Sequence, residues 1–189
     1  VSYENYNNFD FKFGHIYYTK KKYKNYHLKL EYKFFGNQAI GGEGWATKNS
    51  GIMFHSQHPE TMLIDQSFPV SLEAQFLGGL GDGKRPTGNL CTPGTDVDID
   101  FKKLKNHCTQ SSSKTYHSDD WVKAEIIVYN DSIAHHIING KTVYTYRKKL
   151  GEQLAIENKI NADVIVPIPD SGVSAAIGFS QKSKIPFEL

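Results

Sequence analysis

The sequence lacks a membrane span. Nothing in its 189 residues approaches the ~18 consecutive apolar residues that a spanning helix needs. It also lacks a massed charge of either sign. The net charge is only +2, the basic residues are spread along the chain, and the Lys20-Lys21-Lys22 cluster reads as a solvated loop. No membrane span and no nucleic-acid partner are therefore expected. Cysteine is scarce, with only Cys91 and Cys108. Two cannot build a tetrahedral zinc site alone. They are either unrelated thiols or, in an exported chain, a disulfide. No signal peptide is visible and no Met begins the chain, since Val1 leads into a polar, aromatic stretch. The start therefore reads as processed, trimmed or incomplete.

Aromatics and glycine are plentiful. Eleven Tyr, 11 Phe and 16 Gly favour strands and turns over helices. The stretch Val70 to Leu77 alternates without error. Val70, Leu72, Ala74 and Phe76 point one way, and Ser71, Glu73 and Gln75 the other, because successive side chains of a strand stand on opposite faces. One face suits a core. The other presents a carboxylate and a carboxamide side by side, and if the sheet is concave there, Glu73 and Gln75 stand on the floor of a cleft. Tyr26 to Phe34, Gly51 to His55 and Trp121 to Tyr129 read as further strands, and His15 to Lys20 as a short one. Asn139-Gly140 between two apolar runs predicts a hairpin, because a type I′ turn needs positive φ at both central residues. Many short strands with Gly-rich connections predict a sandwich or barrel.

Two local patterns invite stronger readings. Gly78 to Gly83 holds four glycines but lacks the Gly-Lys-Ser/Thr ending of a phosphate loop, so it reads as a rim loop. Asp96, Asp98 and Asp100 alternate, but without the glycine and terminal glutamate of a calcium loop they read as an edge strand. His135 and His136 fall on opposite faces of one strand, so at most one joins any site.

At about Arg147 the pattern changes. Arg147 to Asn158 has helical spacing, Asp163 to Ile168 is an apolar run of the buried parallel-sheet kind, Val173 to Ser183 reads as a helix, and Ile185 to Leu189 as a second strand. Strand, turn, helix and strand make a βαβ unit. The chain thus divides into residues 1–146 and 147–189, with no Pro- or Ser-rich linker between them.

Residues from about 13 to 146 resemble the 3-keto-disaccharide hydrolase domain family. The carrying stretches are Asn49-Ser50-Gly51-Ile52-Met53-Phe54-His55, Phe68-Pro69-Val70-Ser71-Leu72-Glu73-Ala74-Gln75, Thr87-Gly88-Asn89-Leu90-Cys91-Thr92-Pro93-Gly94-Thr95, His107-Cys108 with Ser111-Ser112-Ser113, and Trp121 followed by Asn139-Gly140. The resemblance implies an all-β, concanavalin-A-like jelly-roll sandwich with a sugar-facing surface and, in some members, cleavage of 3-keto-glycosides. It also favours a Cys91–Cys108 disulfide. Sugar hydroxyls suit Asn49, Ser50, His55, Glu73 and Gln75, and apolar sugar faces suit stacking on Trp45 or Tyr116. A 3-keto sugar has an acidified C2 proton, which Glu73 or His55 would remove, with a divalent metal or an amide donor steadying the enolate. The central strand offers no second carboxylate, so the acid–base dyad of ordinary glycoside hydrolysis is not evident. The plainer alternative leaves Glu73 and Gln75 as a hydrophilic outer face and His55 as a structural histidine.

Residues from about 147 to 189 resemble an internal piece of glutamine phosphoribosylpyrophosphate amidotransferase. The carrying residues are Arg147-Lys148-Lys149-Leu150-Gly151, Ala162 to Gly172 with its Pro169-Asp170-Ser171, Ala175 to Phe179, and Ile185 to Leu189. In that family the serine matching Ser171 contributes to magnesium binding at the phosphoribosyl site. The N-terminal catalytic cysteine and the Asp-Asp loop of that family are absent, so no amidotransferase activity is expected. The closing strands of the sandwich family are not recognisable in the tail either. The expectation is a sugar-active sandwich with a short α/β appendage, catalytic or purely sugar-binding, or else a chimeric product with an inactive tail. The first part suggests an extracellular or periplasmic location, and the tail a cytoplasmic origin.

Overall fold

The computed structural model describes the chain apart from residues 1–12, 96–97, 100–101, 104–105, 118, 130–132, 146–147, 169–171 and 189. Among the described residues, ten strands precede two α-helices: β1 (Asn25–Tyr32), β2 (Asn49–Phe54), β3 (Leu72–Leu77), β4 (Asn89–Cys91), β5 (Asp98–Ile99), β6 (Lys102–Lys103), β7 (Cys108–Thr109), β8 (Val122–Tyr129), β9 (Ile133–Ile138), β10 (Lys141–Thr145), α1 (Lys148–Glu157) and α2 (Val173–Ser183). They form two four-stranded sheets, ordered β1-β8-β9-β10 and β2-β3-β4-β7, and a small β5-β6 hairpin. Every pairing in the two large sheets is antiparallel.

The sandwich follows from period-two patterning. Along β8, Val122, Ala124, Ile126 and Val128 are buried between more exposed neighbours. Facing them from the second sheet are Phe54, Ala74, Phe76 and Leu90, joined in one core by Ala134, Ile138 and Val143. Tyr32 stacks on Phe76 with ring centres 4.6 Å apart, and its hydroxyl meets the Thr87 hydroxyl at 2.7 Å. Burying a Val, Leu, Ile or Phe side chain is worth about 1.5–3 kcal/mol, so these apolar faces, with the backbone ladders, account for the cohesion of the two layers. The expected hairpin is present. Asn139 and Gly140 have φ of 47° and 76°, and the Asn139 side chain accepts the Lys123 amide at 2.9 Å.

Three expectations are corrected. His15 to Lys20 forms no strand and belongs to neither sheet. Val70 lies outside β3 and is 41% exposed, while Ser71 beside it is buried, because the chain makes irregular contacts there: Gln57 N–H donates to Val70 and Ser71 N–H to Pro93. In the tail, the apolar run 163–168 is mostly exposed: Pro167 is buried and Ile165 half-buried, but Val166 and Ile168 are 63% and 83% exposed. A parallel strand needs neighbours on both edges and cover on both faces, and among the described residues this run makes a single parallel bridge, Ile165 to Phe187. The helices pack on each other more completely. Gly151 of α1 lies against the Ala175 carbonyl of α2, where a Cβ would come within 1.8 Å of the oxygen.

His136 is a buried polar side chain on the core face of β9. Its Nδ1 lies 2.9 Å from the Gly88 carbonyl, so Nδ1 carries the proton and donates. Nε2 is buried without a hydrogen-bond partner. Phe54 and Tyr144 flank the ring at 5.9 and 5.4 Å. Burial pushes its pKa down to about 4. A histidine neutral in the fold and ordinary when unfolded contributes stability that is complete above pH ~6.5 and lost as pH falls toward the folded value. The share of stability that His136 contributes, read by urea denaturation, should therefore fall between pH 6.5 and 4, where Glu73 contributes the opposite trend. His136→Gln, which keeps a donor for Gly88, should flatten that fall by up to about 1.4 kcal/mol per pH unit; comparing the two proteins cancels the opposite contribution of Glu73.

Candidate functional site

The core positions of β3 leave Glu73 and Gln75 on the other face of its sheet. Register surrounds them. Glu73 has Met53 across from it on β2 and Cys91 on β4; Gln75 has Gly51 and Asn89. Cys91 is in turn opposite Cys108 on β7, and the two form a disulfide. Glu73 does not stand straight up. Its side chain lies over Gly51, so that a Cβ at position 51 would come within 2.2 Å of Oε1 and 2.8 Å of Cγ. Glycine thus opens a notch on β2 that takes the carboxyl group.

Thioether, disulfide and backbone are poor company for a charge. Burial alone pushes the Glu73 carboxyl up to about 7. Among the described residues its carboxylate has no hydrogen-bond or ion-pair partner. Gln75 is held differently. Asn89, itself 3% exposed, receives the Ser111 N–H on Oδ1 at 2.9 Å and donates from Nδ2 to the Pro86 carbonyl and to Gln75 Oε1, both at 3.0 Å.

The other expected site residues are distributed around this pair. Asn49 begins β2 and donates from Nδ2 to the Trp45 carbonyl at 3.2 Å. Ser50, on the alternate pleat, is exposed at the strand's edge and does not share the face of Glu73. Trp45 is 53% exposed and packs with Phe13 and Phe68 at 5.3 and 6.3 Å. Tyr116 lies against the core, with its hydroxyl accepting from Asn139 Nδ2 at 3.0 Å. His55 follows β2 in a left-handed conformation, φ 50°, with its ring exposed and 5.4 Å from Phe54. The bend carries it out of the strand's alternation, and no hydrogen bond or ion pair joins it to Glu73 among the described residues. No three His, Cys, Asp or Glu side chains gather to hold a metal among the described residues. Ser171, Asp96 and Asp100 lie outside the described residues.

A family model, the 3-keto-alpha-glucoside-1,2-lyase-like domain, matches residues 7–180. The chain belongs to this family. The 3-keto-alpha-glucoside-1,2-lyase-like domain is carbohydrate-active with a concanavalin-like fold, which agrees with the two-sheet architecture and with a saccharide partner. Family and disulfide are compatible with an extracellular or periplasmic location, and no helix among the described residues is long and apolar enough to cross a membrane. The chain is also similar to amidophosphoribosyltransferases. That of Rhizobium etli is 52% identical over 52 residues, 28% of this chain and 10% of that enzyme. That of Methanocaldococcus jannaschii is 54% identical over 50 residues, 26% of this chain and 11% of that enzyme. A chloroplastic one of Vigna aconitifolia is 40% identical over 141 residues, 75% of this chain and 24% of that enzyme. The matched part is thus between a tenth and a quarter of these relatives' length. No solved structure matches the chain.

Sequence reasoning passed over Gly51, Asn89 and Arg85 as site-builders of this 3-keto-alpha-glucoside-1,2-lyase-like domain. Arg85 follows a glycine-rich loop and looks like a solvated charge. Instead its guanidinium donates to backbone carbonyls: Nη1 to Lys48 at 3.2 Å and to Gly78, Nη2 to Thr47 at 2.6 Å and Trp45 at 3.3 Å. It ties the loop before β2 to the end of β3. Arg85→Met should leave these carbonyls without donors and lower unfolding free energy by about 1–3 kcal/mol, measured by urea denaturation.

Proposed function

We propose that the outer face of the β2-β3-β4-β7 sheet binds a saccharide and cleaves 3-keto-glycosides by elimination, with Glu73 as the base and Gln75 as a hydrogen-bond donor to the keto oxygen. The supporting observation is Glu73 itself: a carboxyl laid across Gly51, with no ion-pair partner among the described residues, raised to about 7. A base works best when its pKa lies near the working pH, because it is then both ionised and strong.

In this reading Glu73 takes the C2 proton, and the C2–H electrons pass into an enolate whose oxygen faces the Gln75 amide. The enolate re-forms the C3 carbonyl and a C1–C2 double bond as the C1–O bond breaks. The departing oxygen takes a proton, and water then adds across the double bond. Trp45 and Asn49 at the entry to β2 supply an apolar face and a carboxamide for the sugar ring, and His55 lies at the other end of that strand.

We assign this role to residues 1–146, and treat residues 147–189 as a separate α/β unit without the activity of the enzymes it resembles. The self-contained packing of α1 on α2 supports that division.

On a 3-keto-glycoside, kcat/KM should rise with pH along a curve of midpoint about 7, following ionisation of Glu73. Glu73→Gln should cut it by about 10²–10⁴-fold and remove that limb of the profile. Unchanged turnover in Glu73→Gln would overturn the assignment, and saccharide binding by the wild type without turnover would leave a sugar-binding module.

A further inference from the structure

Asn89 is placed to decide what Gln75 can offer a ligand. A carboxamide looks nearly the same in both orientations, so its chemistry depends on what holds it. The orientation of Asn89 is set by backbone groups. The Ser111 N–H can only donate, so it faces Oδ1; the Pro86 carbonyl can only accept, so it faces Nδ2. The second Nδ2 hydrogen then requires an acceptor, which is Gln75 Oε1 at 3.0 Å. Gln75 is left with its amino group for the ligand. Among the described residues nothing accepts from Nε2, and it is not among the sealed polar atoms, of which His136 Nε2 is the example.

The framework around Asn89 is rigid. Its neighbours Leu90 and Cys91 pair with Thr109 and Cys108 of β7, and the disulfide clamps that edge just before Ser111. The Gly88 N–H donates to the backbone carbonyl of Gln75 at 2.7 Å, so β3 and the 86–89 segment are joined at two levels.

The geometry points to Asn89 as a positioning residue that makes Gln75 an obligate donor, and so makes its subsite selective for an oxygen that only accepts, a ketone or enolate rather than a group that must donate. The ketone part of this inference rests on the function proposed above; the orientation of Gln75 does not, and the two are tested separately.

The decisive variant is Asn89→Asp. A carboxylate at position 89, kept ionised by measuring well above the range to which burial raises a carboxyl, has no hydrogen to give, so Gln75 must rotate, donate to it from Nε2 and present Oε1 outward. In ligand-free protein, the Gln75 side-chain amide protons should exchange rapidly with water in the wild type. They should slow by about fivefold or more in Asn89→Asp, as expected for gaining one net hydrogen bond. Equal exchange in the two proteins would overturn the inference, whatever the function of the site. With a 3-keto-glycoside and its parent hydroxyl glycoside as probes, the wild type should bind the ketone at least as well as the alcohol. In Asn89→Asp the ratio should move about tenfold toward the alcohol, because two facing acceptors leave both unpaired. A ratio unmoved in a variant that keeps the wild-type melting temperature would overturn the selectivity. If Asn89→Asp does not fold, the wild type alone decides: Gln75 Nε2 protons already protected from water without ligand would overturn the inference, and rapid exchange that slows on adding the ketone would support it. Failure of both sugars to bind, with the exchange difference intact, would sink the proposed function and leave the role of Asn89 standing.

Discussion

The two faces of β3 cannot be chosen independently. Ala74 and Phe76 must meet Val122, Ala124, Ile126 and Val128 across the sandwich, and once they do, Glu73 and Gln75 are committed to the opposite side. A slip of one residue would drive a carboxylate and a carboxamide into an apolar layer and turn Ala74 and Phe76 outward. The hydrophobic core therefore sets the register of the site, and neighbouring strands complete it. Gly51 comes beside Gln75, and Met53 and Cys91 beside Glu73, because each pairs with β3 in that same register. The elevated pKa of Glu73 is a by-product of this packing: its neighbours in the ladder are chosen by strand pairing and carry no charge to offset its loss of water.

Much of this was legible before any coordinates. Strict alternation marked β3 and β8, Asn139-Gly140 marked the last hairpin of the sandwich, and family resemblance pointed to the Cys91–Cys108 bond. The hidden features depend on long-range register or on backbone geometry. Asn89 is an ordinary residue in a three-residue strand until β4 is paired with β3 on one side and β7 on the other. Arg85 looks solvated because carbonyl groups, its actual partners, leave no trace in side-chain patterning. His55 sits where alternation would put it beside Met53 and Gly51, but a left-handed φ ends the strand there. Ser50 occupies the other pleat from Asn49, so their adjacency in sequence separates them in space.

The tail teaches the reverse lesson. Residues 163–168 have the composition of a buried strand, yet burial is conferred by neighbours, and among the described residues only Phe187 pairs with this segment. Composition recorded the kind of sheet in which such a run is at home, and the described residues pair it through one parallel bridge. The helices are less dependent on missing neighbours: Gly151 brings α1 against α2 closely enough that the pair packs within the tail itself.

The short segment from Pro86 to Asn89 serves both layers. Pro86 receives an Asn89 hydrogen, Gly88 accepts from the core imidazole of His136, and the Gly88 N–H returns to β3. Gly88 also has φ of 75° and no room for a Cβ, which would come within 2.9 Å of Val143. Mutational drift at these positions is thereby coupled. A chain with a hydrocarbon in place of the core imidazole would strand the Gly88 oxygen, and any backbone adjustment that rescued it would tug on the amide pair on the outer face of the sheet. Residues 75, 88, 89 and 136 thus form one mechanical unit, although of the four only Gln75 lies on the outer face of β3.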